Sequence, residues 1–170
     1  MTEHSEGNAL SILAGIITLV ATYLFSWYVV DVGGTTVYAY GVAAWQNVIQ
    51  MFSNPSGFGN SHGMQPWVVI ILAIVLIWFL LSAFMQFAGI NNSAAAIAGS
   101  ILPILVGLMF FLYGVNVISS DWQNLISIFW SSEEIIAGIF PLTLRFAEYP
   151  AAVGTYLLIL GGFLGLIGGI

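Results

Sequence analysis

Residues 68–77 read VVIILAIVLI and contain no polar side chain, and this stretch decides the fold. It lies inside a longer apolar stretch, residues 66–87. A membrane-spanning helix needs about 20 apolar residues, so this stretch is long enough to cross a bilayer. Three further stretches of the same kind occur at residues 9–26, 93–117 and 150–170. We therefore predict a membrane all-α protein, a bundle of four transmembrane helices that forms a single domain over residues 1–170.

The composition of the whole chain agrees with a membrane protein. Of the 170 residues, 60% are hydrophobic and only 5% are charged, whereas about a quarter of the residues in an ordinary soluble domain are charged. The chain has no cysteine, which excludes disulfide scaffolds and thiolate metal sites. One basic residue against seven acidic residues argues against a nucleic-acid-binding surface, because such a surface must neutralise phosphates.

Four spans place both chain termini on one side of the membrane. A short turn at residues 88–92 joins the second and third spans, with Asn92 or Ser93 as the helix cap. The two long loops, residues 27–65 and 118–149, emerge together on the opposite side. The positive-inside rule has only Arg145 to count, so it carries little weight. Large loops rich in aromatic and acidic residues are typical of an exterior face, and we expect cytoplasmic termini in a prokaryotic cell membrane.

The first long loop is predicted to form a β-hairpin and then a helix. β-Branched and aromatic residues flank Gly33 and Gly34, and glycine supplies the positive φ that a two-residue hairpin turn needs. Residues 42–52 carry apolar side chains at helical spacing, which predicts an amphipathic interfacial helix. Residues 53–65 are rich in Gly, Asn, Ser and Pro and predict a loop.

The last long loop is predicted to contain two short helices and a strand. Residues 125–130 indicate a short interfacial helix. Ser131 and Glu134 match a capping box that would begin a helical stretch over residues 133–140. Residues 142–146 alternate between apolar and polar side chains, which is typical of a strand. This strand would add to the hairpin and complete a small sheet.

Asp31 of the hairpin and Arg145 of the last predicted strand have opposite charges. If both strands belong to one sheet, these two side chains form a cross-strand pair that fixes the register. The alternative is that they are two unrelated surface charges.

The order of these elements has a familiar outline. The first span ends in Phe25-Ser26-Trp27-Tyr28 and leads directly into the hairpin, and the last strand leads into a glycine-rich fourth span. In this layout the chain resembles small uncharacterised prokaryotic tetraspan membrane proteins and, more remotely, the claudin-like membrane fold. That resemblance implies a four-helix bundle carrying a small extracellular sheet. The claudin signature of a tryptophan, a Gly-Leu-Trp and two cysteines is matched at most by Trp27, so paracellular sealing is not implied.

Glycines line one face of the fourth span. Gly161, Gly165 and Gly169 recur every four residues, so they share a helix face on which another backbone can approach closely. The pattern leaves two partners open, a helix of the same bundle or a neighbouring protein.

The spans contain no charged residue. Their milder polar side chains are predicted to form hydrogen bonds within or between helices: Thr18, Thr22, Ser82, Gln86 and Ser100. The histidines, His4 and His62, fall on opposite sides of the predicted bilayer, so they cannot jointly bind a haem. We find no nucleophile with a base, no cofactor motif and no metal cluster in the sequence, and we predict no enzymatic activity.

These features predict a non-enzymatic structural or interaction protein that packs laterally through small-residue helix faces. Its partners would be the lipid bilayer and either itself or other membrane subunits. One alternative is an accessory, non-catalytic subunit of a larger membrane complex, such as a respiratory complex. A second alternative, a transporter or channel, is disfavoured because the spans lack charge. Aromatic residues near the predicted interfaces are expected to anchor the protein among lipid headgroups: Trp27, Tyr28, Trp67, Trp122, Trp130 and Tyr149.

Overall fold

The structure, a computed structural model, describes residues 2–118, 123–136, 139–145 and 150–170. In this part the chain is mainly helical and carries one small β-sheet, as predicted. The helices are α1 (Thr2–Tyr23), α2 (Gly41–Ser53), α3 (Pro55–His62), α4 (Pro66–Leu80), α5 (Ser82–Ala88), α6 (Ser93–Gly114), α7 (Gln123–Ile126) and α8 (Val153–Gly169). The strands are β1 (Tyr28–Val32), β2 (Thr35–Ala39) and β3 (Trp130–Ser131).

Four helices, α1, α5, α6 and α8, pack against one another and are called the bundle here. Helix α8 is central, because it contacts α1 on one side and α6 on the other. Helix α5 packs against α1 and α6. A second region, called the cap, consists of residues 24–27, the sheet, α2, α3, α7 and the described residues 127–145.

The second predicted span is not one continuous helix. It breaks at Leu81 into α4 and α5. Helix α5 lies close to α6 at Gly99, where an added Cβ would lie only 2.7 Å from the carbonyl oxygen of Ser82. Helix α4 instead packs mainly against α2 and α3 of the cap. The apolar stretch at residues 66–87 therefore serves both regions of the molecule.

Helix length bears on the prediction of four spans. Among the described residues, α6 is the one helix that is by itself long and apolar enough to cross a bilayer. Helices α3 and α4 meet the same criteria as a pair but are bent by 97°. The apolar part of α1, Gly7–Tyr23, and helix α8 are shorter. The predicted mainly helical class with a small sheet is confirmed, whereas helix length does not by itself support a four-span bundle.

Both chain termini lie at one end of the bundle. Gly7 of α1 approaches Gly168 of α8, and a pocket at this end is also lined by the turn at residues 89–92. Asn92 caps α6, since its Oδ1 accepts a hydrogen bond from the backbone N–H of Ala94 at 3.1 Å. The cap lies at the opposite end of the bundle.

The predicted hairpin is confirmed. Strands β1 and β2 pair in antiparallel fashion with Val32 opposite Thr35, which leaves Gly33 and Gly34 as a two-residue turn. The φ angles of these glycines are 60° and 84°, and a type I′ turn needs positive φ at both central positions. Strand β3 extends the sheet in the order β1-β2-β3.

The third strand differs from the predicted one. Strand β3 comes from an earlier part of the last loop, whereas the predicted strand forms only single bridges within its described residues, 142–145. Leu142 bridges to Phe25 and Arg145 bridges to Ala152. Both backbone polar groups of Leu142 are hydrogen-bonded near the end of α1. This segment therefore lies beside the start of β1 and cannot pair with the free edge of the hairpin.

Helix α3 replaces a predicted loop. The side chain of Asn54 accepts a hydrogen bond from the backbone N–H of Gly57 at 2.9 Å, and Pro55 stands at the first helical position. Gly63, with a φ of 66°, ends the helix. Proline at the start and glycine just past the end are known boundary signals. They were present in the sequence, but the Gly, Asn and Ser content obscured them.

Two other loop helices were predicted and are found, namely α2 and α7, which a 3-10 turn at Ser127–Phe129 extends. The helical stretch predicted over residues 133–140 is wrong in the described part of that range. There the chain turns, and Ile136 bridges to Phe140. Glu134, expected to close a capping box, instead accepts a hydrogen bond from Tyr38 of β2.

Candidate functional site

Trp27 is the centre of the packing that joins the bundle to the cap. Its side chain is fully buried. Its ring centroid lies 5.3 Å from that of Phe79 and 5.8 Å from those of Phe110 and Phe129. Its indole N–H donates a hydrogen bond to the carbonyl oxygen of Ala21 at 2.8 Å. The prediction that Trp27 anchors the protein among lipid headgroups is therefore wrong, because this aromatic cluster encloses it. Trp122 and Tyr149, two other predicted anchors, lie outside the described residues.

The backbone of Trp27 ties together three segments of the chain. Its N–H donates to the carbonyl oxygen of Ala39 in β2 at 2.8 Å. Its carbonyl oxygen accepts from the N–H of Ala152 at 2.8 Å and from the hydroxyl of Thr155 at 2.5 Å. The sheet is thus attached to both the first and the last helix, which fixes the position of the side chains it presents.

A pocket of about 550 Å³ opens on the cap beside the hairpin. The only basic residue of the chain and two of its seven acidic residues line this pocket. The polar lining consists of Asp31, Thr36, Tyr38, Glu134, Thr143 and Arg145. The apolar lining consists of Phe25, Val29, Ile139, Pro141, Leu142 and Leu144. We call it the cap pocket.

The register of the hairpin places the first half of this lining. Residues two apart on a strand point to the same face of the sheet, and Asp31 of β1 pairs with Thr36 of β2 while Val29 pairs with Tyr38. All four of these side chains line the cap pocket. One face of the β1–β2 ladder therefore forms one wall of the pocket.

Hydroxyl groups orient the two carboxylates of the cap pocket. The hydroxyl of Thr36 donates to Oδ1 of Asp31 at 2.6 Å, and the hydroxyl of Tyr38 donates to Oε1 of Glu134 at 2.5 Å. The hydrogen bond to Glu134, followed by burial, raises the pKa of the Tyr38 hydroxyl above its ordinary value. Tyr38 therefore stays neutral and remains a hydrogen-bond donor at physiological pH.

The sequence left open whether Asp31 and Arg145 pair across one sheet or are unrelated surface charges, and the structure brings them to one pocket in another way. The partner of Asp31 in the ladder is Thr36, and Arg145 bridges to Ala152. The two charged residues are therefore not opposite each other on neighbouring strands. Both line the cap pocket.

No protein family, curated protein or solved structure matches the chain.

The three glycines of the predicted packing face are buried inside the bundle. A Cβ atom on Gly161 would collide with Oγ1 of Thr18 in α1, and one on Gly165 would collide with Oγ of Ser100 in α6. A Cβ on Gly169 would crowd α6 as well. Of the two partners that the sequence left open, the contacts shown are with helices of the same chain. This face is occupied and does not form an outer surface of the bundle.

The polar side chains of the predicted spans also lie inside the bundle, where all are buried. The amide nitrogen of Gln86 lies within hydrogen-bond distance of Oγ of Ser100 at 3.2 Å and of the carbonyl oxygen of Gly161 at 3.4 Å. Several buried polar atoms have no hydrogen-bond partner among the described residues: the hydroxyls of Ser11, Thr18, Thr22 and Ser82, and Oε1 of Gln86. The predicted hydrogen bonding within or between helices is thus found at Gln86 and at Ser100, whose hydroxyl donates to the carbonyl oxygen of Ala96 at 2.6 Å, but not at every polar group.

A second polar pocket lies beside His62 at the end of α3. The imidazole stacks on Phe58 with ring centroids 4.2 Å apart, and its Nδ1 lies 2.9 Å from Oγ of Ser61. A nucleophilic site needs a third group that orients the base, and the lining of this pocket includes no carboxylate. The side chain of His4 lies outside the described part. In that part, no three histidine, aspartate or glutamate side chains are grouped to hold a metal ion.

Three members of the cap pocket were missed from the sequence: Thr36, Tyr38 and Thr143. A signal for the first two was present, since the two-residue turn at Gly33 and Gly34 fixes which residues face each other across the hairpin. With Asp31 as the reference, Thr36 and Tyr38 follow from that register. Thr143 gave no such signal, because its segment is held by contacts with the end of α1.

Proposed function

We propose that the chain is a non-enzymatic integral membrane protein whose bundle crosses the bilayer and whose cap is held at one membrane surface for interactions. The observation that carries this proposal is the apolar outer surface of the helices. Large apolar side chains are exposed on α1, α4, α6 and α8: Ile12, Leu13, Ile16, Ile70, Ile71, Ile74, Ile101, Leu105, Leu108, Leu160, Phe163 and Ile167.

The distribution of polarity supports a lipid environment. Polar side chains such as Gln86 and Thr18 are buried in the bundle, while isoleucine and leucine cover its outside. A soluble monomer rarely exposes contiguous apolar patches beyond a few hundred Å². In hydrocarbon such a surface carries no penalty, whereas in water each Å² of it costs about 25 cal/mol.

Helix dimensions are compatible with four spans. Helix α8 has 17 residues and is therefore about 26 Å long, against a hydrocarbon core of about 30 Å. That length is near the lower limit for a transmembrane helix, and the apolar part of α1 is similar. We propose that α1, α6, α8 and the combined α4–α5 segment cross the bilayer, with the termini in the cytoplasm and the cap outside, in the layout of the prokaryotic tetraspan proteins.

A second candidate function is that of an accessory subunit in a larger membrane complex. It is favoured by an apolar groove of about 470 Å³ between α4 and α6, which leucine, valine and phenylalanine side chains line. Since the glycine face of α8 is occupied within the bundle, lateral contacts in either case would use the outer apolar side chains.

The absence of cysteine permits a direct test of membrane topology. Single cysteines would be introduced at exposed positions by Thr35→Cys in the hairpin, Asn124→Cys in the last loop and Asn91→Cys in the turn between α5 and α6. Intact cells would be treated with a membrane-impermeant maleimide, followed by inverted vesicles. We expect labelling of the first two variants in intact cells and of Asn91→Cys in inverted vesicles.

Ala14→Cys serves as the matched control, because Ala14 is fully buried in α1 and should react only after denaturation. Release of the protein by an alkaline carbonate wash, or labelling of Thr35→Cys and Asn91→Cys from the same side, would contradict the proposal. Purification in mild detergent then separates the two candidate functions. Copies of this chain, alone or with small partners, favour the first candidate, and cofactor-bearing subunits that co-purify favour the second.

A further inference from the structure

Helix α2 carries apolar side chains on two faces, and the packing of the chain accounts for only one of them. Ala44, Val48 and Met51 are buried against the rest of the molecule. On the outer face, Ile49 is 66% exposed and Phe52 is 47% exposed. Exposed apolar side chains that form a continuous patch mark a contact with a protein or with a membrane.

The outer face of α2 is divided into two strips. The apolar strip repeats at spacings of four and three residues: Trp45, Ile49 and Phe52. The polar strip has the same spacings one residue further along and is exposed throughout: Gln46, Gln50 and Ser53. Residues three and four apart are neighbours on a helix surface, so each strip is continuous. This division is typical of a helix at the boundary between lipid and water.

Helix α2 runs alongside α4 in the opposite direction. Near its start, the indole N–H of Trp45 donates to the hydroxyl of Tyr23 at 3.2 Å, and that hydroxyl donates to the carbonyl oxygen of Leu80, the last residue of α4, at 2.7 Å. The end of α2 leads through α3 to the start of α4, and α2 packs against α4. Since α4 belongs to a segment proposed above to cross the bilayer, α2 lies beside that segment.

Helix α2 also begins where α1 ends. A Cβ atom added to Gly41 would collide with the carbonyl oxygen of Thr22, so the first turn of α2 touches the last turn of α1. The apolar part of α1, Gly7–Tyr23, is about 26 Å long, against a hydrocarbon core of about 30 Å. An apolar strip on α2 would continue the lipid-facing surface beyond the end of this short helix.

The distribution of charge favours lipid contact on the α2 side of the cap. The sequence contains no aspartate, glutamate, lysine or arginine between Asp31 and Asp121, and this stretch includes α2, α3 and α4. The acids Asp31, Glu133 and Glu134 instead belong to the sheet or follow its last strand. Charged side chains are costly in hydrocarbon, so the α2 side can enter a membrane at a lower cost than the sheet side.

We propose that α2 is embedded in the leaflet on the cap side, with its apolar strip against the acyl chains and its polar strip facing water. This inference rests on the proposed function, because it needs a bundle that crosses the bilayer. It assigns lipid contact to a helix that is too short to span, since α2 has 13 residues and is about 20 Å long. One side of the cap is therefore sunk into the membrane.

Spin labels distinguish lipid from water at single positions, and the absence of cysteine allows a label to be placed at one site. The full chain with Ile49→Cys or Gln46→Cys would be labelled with a nitroxide and reconstituted into vesicles of phosphatidylethanolamine and phosphatidylglycerol. Power saturation in electron paramagnetic resonance compares collisions with oxygen, which is enriched in hydrocarbon, and with a nickel chelate, which stays in water. We expect the ratio of oxygen to nickel collisions to be about tenfold higher at Ile49→Cys, because a polar chelate is strongly excluded from hydrocarbon.

Gln46→Cys is the matched control, because both side chains are exposed on the same helix three residues apart. Thr35→Cys in the hairpin gives the value for a label in water. Leu105→Cys, at an exposed position of α6, gives the value for a label in hydrocarbon. An unchanged elution profile and thermal unfolding midpoint would show that the variants are folded.

Three results would overturn the inference. The label at Ile49→Cys could meet the nickel chelate as often as the label at Thr35→Cys, which would place α2 in water. It could be shielded from both reagents, which would mean that another protein covers the strip. Equal ratios at Ile49→Cys and Gln46→Cys would remove the distinction between the strips. The proposed function stands in each case if Leu105→Cys reports hydrocarbon, and it fails by itself if Leu105→Cys reports water.

Discussion

Helix α8 in the bundle approaches its neighbours so closely that glycines stand at the contacts, whereas the cap is packed by large aromatic rings around Trp27. In the bundle, Gly165 faces Ser100 and Gln86 with no space for a side chain. In the cap, the ring of Trp27 fills the space between Phe79 and Phe129. The two regions therefore achieve dense packing in opposite ways, one with the smallest residue and one with the largest.

This difference predicts opposite sensitivities to substitution. In the bundle, helix backbones approach each other because side chains are absent, so an added atom should be more harmful than a removed one. In the cap, a buried indole and its neighbours supply the contacts, so a removed ring should leave a cavity. Each of the following predictions tests one side of that contrast.

Removal of the Trp27 ring should have the largest effect. Trp27→Ala is expected to lower the free energy of unfolding by about 3–5 kcal/mol, because it opens a cavity between Phe79 and Phe110 and leaves the carbonyl oxygen of Ala21 without its indole donor. Equilibrium unfolding in detergent measures this. The matched control is Trp67→Ala. Because Trp67 is 64% exposed, this substitution should lower the free energy of unfolding far less. Equal losses in the two variants would contradict a cap that is built on Trp27.

Addition of one carbon in the bundle should have the next largest effect. Gly165→Ala is expected to lower the free energy of unfolding by about 1–3 kcal/mol, because its Cβ would collide with Oγ of Ser100 and lie 2.9 Å from Nε2 of Gln86. The control Leu160→Phe adds more atoms to the same helix, but at a position that is 48% exposed. Thermal unfolding of both variants in detergent is the measurement. If Gly165→Ala were as stable as the unsubstituted protein, close approach of α8 would not be required.

The same contrast explains what the sequence could predict. Some features that depend on a few neighbouring residues were predicted correctly, such as the hairpin turn at Gly33 and Gly34 and the cap of α6 at Asn92. Their signals are local, because a positive φ or a capping oxygen acts within two or three residues. The break at Leu81 had no such signal, since no proline or glycine stands at it or next to it.

Features that depend on which distant surfaces meet were only partly predictable. A cross-strand pair of Asp31 and Arg145 was one of two possibilities. Both residues line the cap pocket, but the segment that carries Arg145 is held near the end of α1. Burial of Trp27 could not be read from a position at the end of an apolar stretch, where exposed anchors are also found. The decisive information is the long-range contact with Phe110 and Phe129.

The hairpin turn offers a case in which an added atom meets open space. A Cβ on Gly33 would have nothing within 4 Å, but the φ of this residue is +60°. Gly33→Ala should therefore lower the free energy of unfolding by about 1 kcal/mol through backbone strain alone. Gly33→Asn is the matched comparison, because asparagine followed by glycine is favoured in type I′ turns, and it should cost less. A higher thermal unfolding midpoint for Gly33→Ala than for Gly33→Asn would contradict the positive-φ turn.

The smallest effect expected at neutral pH concerns the tyrosine beside Trp27. Burial, followed by the neighbouring Tyr113, raises the pKa of Tyr28 to about 12, against an ordinary value of about 10. The folded state thus favours the neutral phenol, so its contribution to stability is complete below about pH 10 and is lost as the pH rises toward 12.

Tyr28→Phe keeps the ring and removes the ionisable hydroxyl. An ultraviolet absorbance titration of the folded protein should lose its component near pH 12 in this variant. The free energy of unfolding of the variant should also decline less steeply between about pH 10 and 12 than that of the unsubstituted protein. The ring of Tyr28 is 5% exposed and lies parallel to that of Trp130, so stability at neutral pH should change little. A titration midpoint near 10 for Tyr28 would show that solvent reaches its hydroxyl, and the contrast between the dense aromatic cap and the glycine-packed bundle would then be weaker than the ring contacts indicate.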